Sequence, residues 1–132
     1  MADYRISDRK SVMKNLKSYC RIVMEGEFCL ISSEELKLSM DHSDLILLDL
    51  RKREDFERSH IEKSLHWDWS QLDLLIEKEV LPKTARIVVI CYVGASSAQT
   101  TGILRLFGYK AFSLEDGFND WLSKNYPTVS GE

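Results

Sequence analysis

Two short apolar runs, LILLD at 45–49 and RIVVIC at 86–91, constrain the fold of this chain more than any other feature. A strand with one solvent-exposed face alternates apolar and polar residues, but these runs have almost no polar interruption. Continuous apolar runs of this length are typical of strands buried on both faces of a parallel sheet. Parallel strands need long crossover connections, which are usually helices. The two runs therefore predict an α/β domain.

Helical patterns lie between the predicted strands. Ser32 and Glu35 match a capping box, which predicts a helix from about Ser33 to Met40. Further helices are predicted at 53–60 (a short turn), 70–80, 97–107 and 117–125, and further strands at 28–31, 64–69 and 111–115. The helix at 70–80 presents one apolar face, formed by Leu72, Leu75, Ile76 and Val80. This alternation predicts a parallel sheet with helices on both faces.

The first 27 residues are predicted to form an amphipathic helical extension, and residues 28–132 the main domain. Apolar residues recur there at helical spacing, at Val12, Leu16, Tyr19, Cys20 and Val23. We expect this helix to pack on the domain, and binding of a partner is the alternative. The segment has no apolar core of a secretory signal, and Asp3 and Asp8 count against a mitochondrial presequence, which stays open as an alternative.

Composition excludes several classes of protein. The chain has 132 residues, 44% of them hydrophobic and 30% charged, which suits one globular domain. A net charge of -3 gives no basic surplus for nucleic acid, and no run approaches the ~18 apolar residues of a membrane span. Three widely spaced cysteines match neither a disulfide framework nor a zinc site. We therefore expect a reducing compartment, by default the cytoplasm.

Cys91 ends the second apolar run and is followed by small residues from Gly94 to Ala98. In open α/β sheets, ligands bind at the carboxyl ends of the strands. If the loop curls, the amides of residues 92–97 converge above the sulfur, and bulky side chains there would close the site. Such a nest at a helix start stabilises anions and favours the nucleophilic thiolate over the thiol. A buried cysteine that merely precedes a helix is the alternative.

Four segments resemble the rhodanese-like sulfurtransferases, over about residues 28–130. ISSEEL is similar to the opening strand and helix of that family, and LILLDLRKREDFERSHI to its Asp-x-Arg…Glu-(Phe/Tyr)…Gly-His-Ile block. CYVGASS is similar to the active-site pattern Cys-x-x-Gly-x-(Arg/Ser)-(Ser/Thr), and LFGYKAFSLEDGFNDW with YPT to the closing segment. The resemblance implies a three-layer α/β/α sandwich around a parallel sheet of about five strands.

The resemblance also implies a reaction and a set of site residues. Cys91 would be the catalytic nucleophile, taking the outer sulfur of a donor such as thiosulfate as a persulfide and passing it to cyanide or a thiol. The acceptor could be a protein thiol such as that of thioredoxin. No metal and no organic cofactor are needed. The expected substrate-binding residues form the loop, with Asp49 and Arg51 in support: Tyr92, Val93, Gly94, Ala95, Ser96 and Ser97.

Departures from the family pattern restrict the activities that the resemblance implies. Ser96 stands where many members have arginine, so backbone amides and hydroxyls are left to hold the donor. Related phosphatases have Cys-x5-Arg, but here Ser97 occupies that position, so phosphate would lack its guanidinium partner. Relatives without the cysteine are docking modules, and a non-enzymatic docking or sulfur-carrier module is the second function hypothesis. Ser59, Lys63 and Asp116 replace usual turn glycines and are expected to cause local backbone adjustments.

Several other polar and aromatic residues are expected to be structural. Asp49 and Arg51 should pair with each other or with neighbouring loops rather than contact substrate, and His60 should anchor a turn rather than act as a base. His66, Trp67 and Trp69 are expected to pack in the core or at its rim. Cys20, on the apolar stripe of the first helix, and Cys29, in an apolar strand, are expected to be structural, with sulfur relay from Cys91 as the alternative.

Overall fold

The computed structural model describes residues 6–131 of the chain. The elements are, in chain order, α1 (Ile6–Met24), β1 (Leu30–Ile31), α2 (Ser33–Ser39), β2 (Leu45–Asp49), α3 (Arg53–Arg58), β3 (Leu65–His66), α4 (Leu72–Glu77), β4 (Arg86–Ile90), α5 (Ala95–Leu106), β5 (Lys110–Leu114) and α6 (Gly117–Ser123). A short 3-10 turn, Trp69–Gln71, precedes α4. The expected capping box is present: Ser32 Oγ accepts from the Glu35 amide, and Glu35 Oε1 accepts from the Ser32 amide.

The five strands form one parallel sheet in the order β1-β5-β4-β2-β3. The two apolar runs are its central neighbours, β2 and β4, which pair in register from Leu45 with Arg86 to Asp49 with Ile90. All strands therefore end at the same edge of the sheet. The predicted α/β class and the parallel five-stranded sheet are confirmed.

Two apolar clusters lie on opposite faces of the sheet, because successive side chains of a strand point to opposite sides. One cluster packs α4 and α5 against the sheet and includes Leu48, Leu75, Ile87, Val89 and Leu104. The other packs α2 and α6 against the opposite face and includes Leu36, Leu47, Val88, Phe118 and Trp121. Helices cover both faces, which gives the three expected layers.

Helix α1 packs on α5, as expected for the amphipathic extension. Asn15 Nδ2 donates to the Leu106 carbonyl at 2.9 Å, and a Cβ at Gly102 would lie 3.2 Å from the Tyr19 hydroxyl. Cys20, however, is exposed, so its expected place on the apolar packing face of the helix is wrong. Residues 1–5 of the predicted extension lie outside the described residues, and the boundary at residue 27 stays a prediction. Within 6–131, no helix is long and apolar enough to cross a membrane.

Helix α4 ends earlier than its apolar pattern predicts. Glu79 adopts φ +50, and the amides of Glu79 and Val80 donate to the carbonyls of Ile76 and Leu75. This is a Schellman motif, with Glu79 at the left-handed position that glycine usually fills. Val80 therefore lies beyond the helix and is 44% exposed rather than on its buried face.

The turns that lack the family's glycines keep a glycine-like backbone at two of three positions. Lys63 has φ +71 and Asp116 has φ +63, both in the left-handed region. These two side chains therefore stand in a backbone conformation that glycine usually fills, and the backbone adjustment relative to the family stays a prediction. Ser59 has φ -167, which is ordinary extended backbone.

Candidate active site

Cys91 directly follows β4, at the sheet edge where all five strands end. Its side chain is buried, and its sulfur accepts hydrogen bonds from the amides of Gly94 at 3.1 Å and Ser97 at 3.3 Å. The loop thus curls back over the sulfur, as the run of small residues predicts. Of the predicted amides at 92–97, these two donate to the sulfur itself.

Serine hydroxyls complete the surroundings of the sulfur. Ser97 Oγ lies 3.3 Å from Cys91 Sγ and 2.7 Å from Ser113 Oγ. When the sulfur is a thiolate, Ser97 donates to it, and Ser113 can donate in turn to Ser97. Burial raises the pKa of Cys91, but the bonds from Ser96, Ser97 and Gly94 outweigh it and hold the pKa below its ordinary value.

The helix start after the loop leaves further donors near the site. Gly94 has φ +98, and α5 begins at Ala95, two residues earlier than predicted. The amides of Ala95 and Ser96 belong to the first turn of this twelve-residue helix, where amides have no intrahelical acceptor. They are therefore available to donate hydrogen bonds to a negative charge that is bound, or that develops, next to the Cys91 sulfur. Val93 is 61% exposed.

The start of α6 holds the backbone of the Cys91 loop in place through two hydrogen bonds. The Phe118 amide donates to the Cys91 carbonyl at 2.8 Å, and the Asn119 amide to the Tyr92 carbonyl at 3.1 Å. Gly117 makes this approach possible: it has φ +68, and a Cβ there would lie 2.4 Å from Tyr92 O. Any larger residue at position 117 would push the loop out of place.

Tyr92 connects the loop to the segment after β2. Its hydroxyl donates to the Asp55 carboxylate and accepts from the Lys52 amide at 3.1 Å. Burial and the bond to Asp55 raise the pKa of Tyr92, so the hydroxyl stays protonated at neutral pH. The residue is half-buried, and its hydroxyl is engaged in holding two loops together rather than free for a substrate.

Asp49 and Arg51 form the expected pair, and the pair is buried. Arg51 Nη2 lies 3.0 Å from Asp49 Oδ2 and also donates to the Ser59 carbonyl at 2.7 Å. The guanidinium stacks 3.8 Å from the centre of the Phe118 ring, at the start of α6. Because its hydrogen bonds go to protein groups, Arg51 supports the loop through Phe118 and does not replace the arginine missing at position 96.

The histidines and tryptophans have the structural roles expected of them. His60 Nδ1 donates to the Phe56 carbonyl at 2.7 Å and stacks on the Phe56 ring at 3.9 Å, which anchors the turn after α3. His66 Nε2 donates to the Arg51 carbonyl at 2.6 Å. The indole N–H groups of Trp67 and Trp69 donate to Gln71 O and Thr100 Oγ1, each at 2.8 Å.

The other two cysteines differ from Cys91 in their environment. Cys29 is buried, and burial raises the pKa of its thiol, in the opposite direction to Cys91. Cys20 is exposed on α1. Within residues 6–131, no group of three or more His, Cys, Asp or Glu side chains could hold a metal ion.

Sequence reasoning missed Ser113, Gly117 and Asp55, which all contact the Cys91 loop. A serine inside the otherwise apolar stretch AFSL was a usable signal for Ser113, because β5 neighbours β4. Gly117 lies in the closing segment that resembles the family, but its contact with Tyr92 has no signal in the sequence. Asp55 occupies the Glu position of the family block, but nothing near it in the sequence indicates its partner Tyr92, 37 residues away.

Comparison with known proteins agrees with this geometry. Residues 32–124 match the sequence profile of the family described as "Rhodanese-like domain". The thiosulfate sulfurtransferase GlpE of Coxiella burnetii is 33% identical over 86 residues, which are 64% of this chain and 78% of that protein. GlpE of Pseudomonas savastanoi pv. phaseolicola is 32% identical over 108 residues, 80% of this chain and 98% of that protein.

A solved structure supports the same fold. The crystal structure of a rhodanese-related protein from Thermoplasma volcanium superposes with a TM-score of 0.69 at 24% identity, covering 76% of this chain and 96% of that one. The profile match spans more than half of the sequence and includes Cys91 and its loop. The chain belongs to the rhodanese-like domain family.

Proposed function

We propose that this protein is a sulfurtransferase that moves sulfane sulfur from a donor such as thiosulfate to a thiophilic acceptor through a persulfide on Cys91. The observation that carries the proposal is the hydrogen-bond cradle of the Cys91 sulfur, formed by the amides of Gly94 and Ser97 and by the Ser97 hydroxyl. A cradle of this kind stabilises the thiolate, which is the nucleophilic form of cysteine.

The first half of the reaction loads sulfur onto the enzyme. The Cys91 thiolate attacks the outer sulfur of thiosulfate, a new sulfur–sulfur bond forms, and the bond from that sulfur to the sulfonate breaks. Sulfite leaves with the bonding electron pair, and the persulfide anion remains on Cys91. The amides at the start of α5 then lie near the charge that the outer sulfur carries.

The second half returns the enzyme to its starting state. A nucleophilic acceptor such as cyanide or a thiolate bonds to the outer sulfur, and the bond to Cys91 Sγ breaks with its electrons returning to Cys91. Cyanide leaves as thiocyanate. The residues in the path of this reaction are Cys91, the amides of the loop and the hydroxyls of Ser96 and Ser97, and no metal or organic cofactor enters either step.

Phosphate chemistry is disfavoured by the position of the next arginine along the chain. Arg105 lies in the last turn of α5, where its Nε donates to the Ala111 carbonyl at 2.8 Å and its guanidinium lies 4.8 Å from the centre of the Phe112 ring. Arg51 is paired with Asp49. Neither guanidinium is placed to bind a phosphate dianion at the loop, so the fold's phosphatase chemistry lacks its main charge partner.

A turnover assay separates an enzyme from a docking module. With thiosulfate and cyanide, the wild-type protein should release thiocyanate, and Cys91→Ser should not, because a serine hydroxyl is not ionised at neutral pH. Cys20→Ser is the matched control, since that cysteine is exposed on α1 and should leave turnover unchanged. A wild-type protein that releases no thiocyanate with any sulfur donor would favour the docking module.

We expect the chemistry in a reducing compartment, the cytoplasm by default, because an oxidised Cys91 cannot attack the donor.

A further inference from the structure

Between residues 8 and 24, one side of α1 presents only cationic and sulfur-containing side chains to solvent. Successive residues of a helix are about 100° apart, which places eight exposed residues within a sector of about 140°. We call this sector the basic face, and its residues are Arg9, Lys10, Met13, Lys14, Lys17, Cys20, Arg21 and Met24. The opposite side of the helix carries Asn15 and Tyr19, which contact α5. The basic face therefore points away from the domain.

Charge is divided unevenly along the chain. Residues 1–24 contain six Lys or Arg and two Asp, a net charge of +4, whereas residues 25–132 contain 12 Lys or Arg and 19 Asp or Glu, a net charge of -7. Five of the six cations in the first stretch lie on the basic face. A chain with an overall charge of -3 thus has a strongly cationic surface.

The cations of the basic face are not neutralised by the domain. Within residues 6–131, no ion pair with a carboxylate involves any of the five. Like charges three or four residues apart on a helix repel each other, and four of the cations have that spacing: Lys10, Lys14, Lys17 and Arg21. An anionic surface laid along the helix would offset this repulsion.

The composition of the basic face favours a lipid surface over a protein partner. Three of its five cations are lysines, which protein interfaces use sparingly, and it has no aromatic side chain, the usual anchor of such an interface. Met13 and Met24 are 45% and 86% exposed, and their flexible apolar chains can enter the boundary between lipid headgroups and acyl chains. A second copy of this chain is disfavoured at this surface, because two basic faces would repel each other.

We propose that the basic face binds the surface of a membrane that contains anionic phospholipids, with α1 parallel to the plane of the bilayer. Each cation near such a surface strengthens binding about fivefold, so the contact is reversible and sensitive to salt. The layer of α2 and α6 lies behind α5 and the sheet, about 10 Å farther away with each layer. Its carboxylates are therefore beyond the Debye length of about 8 Å at physiological salt, and their repulsion is screened.

Co-sedimentation of the full chain with lipid vesicles tests the proposal. Vesicles made of equal parts of phosphatidylserine and phosphatidylcholine should bind the protein, and vesicles of phosphatidylcholine alone should not. Raising the salt from about 0.1 M to about 1 M shortens the Debye length from about 10 Å to about 3 Å and should release the protein. Equal binding to the two kinds of vesicle, or binding to neither, would overturn the proposal.

A double variant on the basic face and a matched control locate the contact. Lys14→Gln combined with Lys17→Gln should weaken binding to the phosphatidylserine vesicles about 25-fold, at about fivefold for each cation. Lys37→Gln combined with Lys63→Gln removes the same charge from exposed lysines on α2 and in the turn before β3, and should stay within about twofold of wild type. Equal losses in the two double variants would mean that net charge alone decides binding, and would refute the basic face as the site.

Two further measurements separate lipid from an acidic protein. Met13→Gln combined with Met24→Gln should weaken vesicle binding about three- to tenfold, because an amide replaces an apolar thioether at the lipid boundary. Unchanged binding in this variant would contradict insertion of the methionines. Retention of wild type by immobilised polyglutamate, without binding to the anionic vesicles, would overturn the lipid surface in favour of an acidic protein partner.

The membrane contact goes beyond the proposed function and is tested without it, since vesicle binding requires no sulfur donor. Turnover of thiosulfate and cyanide without vesicles should be the same in the Lys14 and Lys17 double variant as in wild type, because these side chains are not part of the Cys91 site. Cys91→Ser should still bind the anionic vesicles as wild type does. Loss of vesicle binding in Cys91→Ser would contradict a contact confined to α1.

Discussion

Replacing Gly117 with alanine should damage the active-site loop from a position that never touches the substrate. The added Cβ would lie 2.4 Å from Tyr92 O, 2.5 Å from Tyr92 C and 2.6 Å from Val93 N. These are all backbone atoms, so no side chain can rotate away. Ordinary carbon contacts begin at about 3.5 Å, and the loop or the start of α6 must therefore move by about 1 Å.

The expected loss of stability has two parts. Gly117 has φ +68, and a left-handed conformation costs an alanine about 1–2 kcal/mol. Separation of α6 from the loop would also weaken the bonds from Phe118 to Cys91 O and from Asn119 to Tyr92 O, each worth about 1 kcal/mol. Together these predict that Gly117→Ala lowers the free energy of unfolding by about 3–4 kcal/mol.

Gly26→Ala is the matched control. Gly26 also has a positive φ, +87, but a Cβ there would meet nothing within 4 Å. It should lose only the conformational part, about 1–2 kcal/mol. Urea unfolding of both variants measures the difference, and a sulfur-transfer assay on folded Gly117→Ala should show a rate lowered about 10- to 100-fold, because catalytic groups displaced by ~1 Å react poorly. Equal stabilities for the two variants, with the transfer rate kept, would refute the close packing of α6 on the loop.

Three further changes probe the sulfur directly. Ser97→Ala should raise the pKa of Cys91, which the pH dependence of iodoacetamide alkylation measures, and an unchanged alkylation profile would contradict the bond from Ser97. The same change should lower the free energy of unfolding by about 1–2 kcal/mol, because the buried Ser113 hydroxyl loses its partner. Ser96→Arg should lower KM for thiosulfate more than it raises kcat, since a guanidinium at the mouth of the loop would attract the dianionic donor, and an unchanged or raised KM would show that arginine points away. The pKa of Cys91 is lower in the fold than the ordinary thiol value of about 8.5, so between these two values the unfolded chain binds a proton at this cysteine that the folded chain has lost. The stability advantage of wild type over Cys91→Ser should therefore grow as pH rises through this range and vanish as pH falls below the folded pKa. Urea titrations across this range that show a constant difference would exclude a stabilised thiolate.

Local patterns in the sequence predict the central strands β2 and β4 well and the edge strand β3 poorly. LILLD and RIVVIC are buried on both faces, and their continuous apolar pattern reflects this directly. The segment 64–69 reads as a strand, but only Leu65 and His66 pair with β2. Asp68 then accepts from the Ser70 amide and starts the 3-10 turn, so its capping bond ends the strand. The strand order depends on the crossovers between strands, and no short segment encodes it.

The active site divides in the same way between local and long-range contacts. Cys91, Gly94 and Ser97 lie within one loop, and their relation follows from small residues after a buried strand. Ser113 reaches the site only because β5 pairs with β4, and Gly117 only because α6 packs against the loop. Such contacts depend on how distant segments meet, which residue spacing along one chain does not reveal.

The intact mass of the protein after treatment with thiosulfate tests the central claim most directly. The account predicts a gain of one sulfur atom, ~32 Da, from formation of a persulfide. The gain should map to Cys91, disappear on addition of cyanide or reductant, be absent in Cys91→Ser and persist in Cys20→Ser. A wild-type protein that gains no sulfur, or a Cys91→Ser variant that gains as much, would contradict the account.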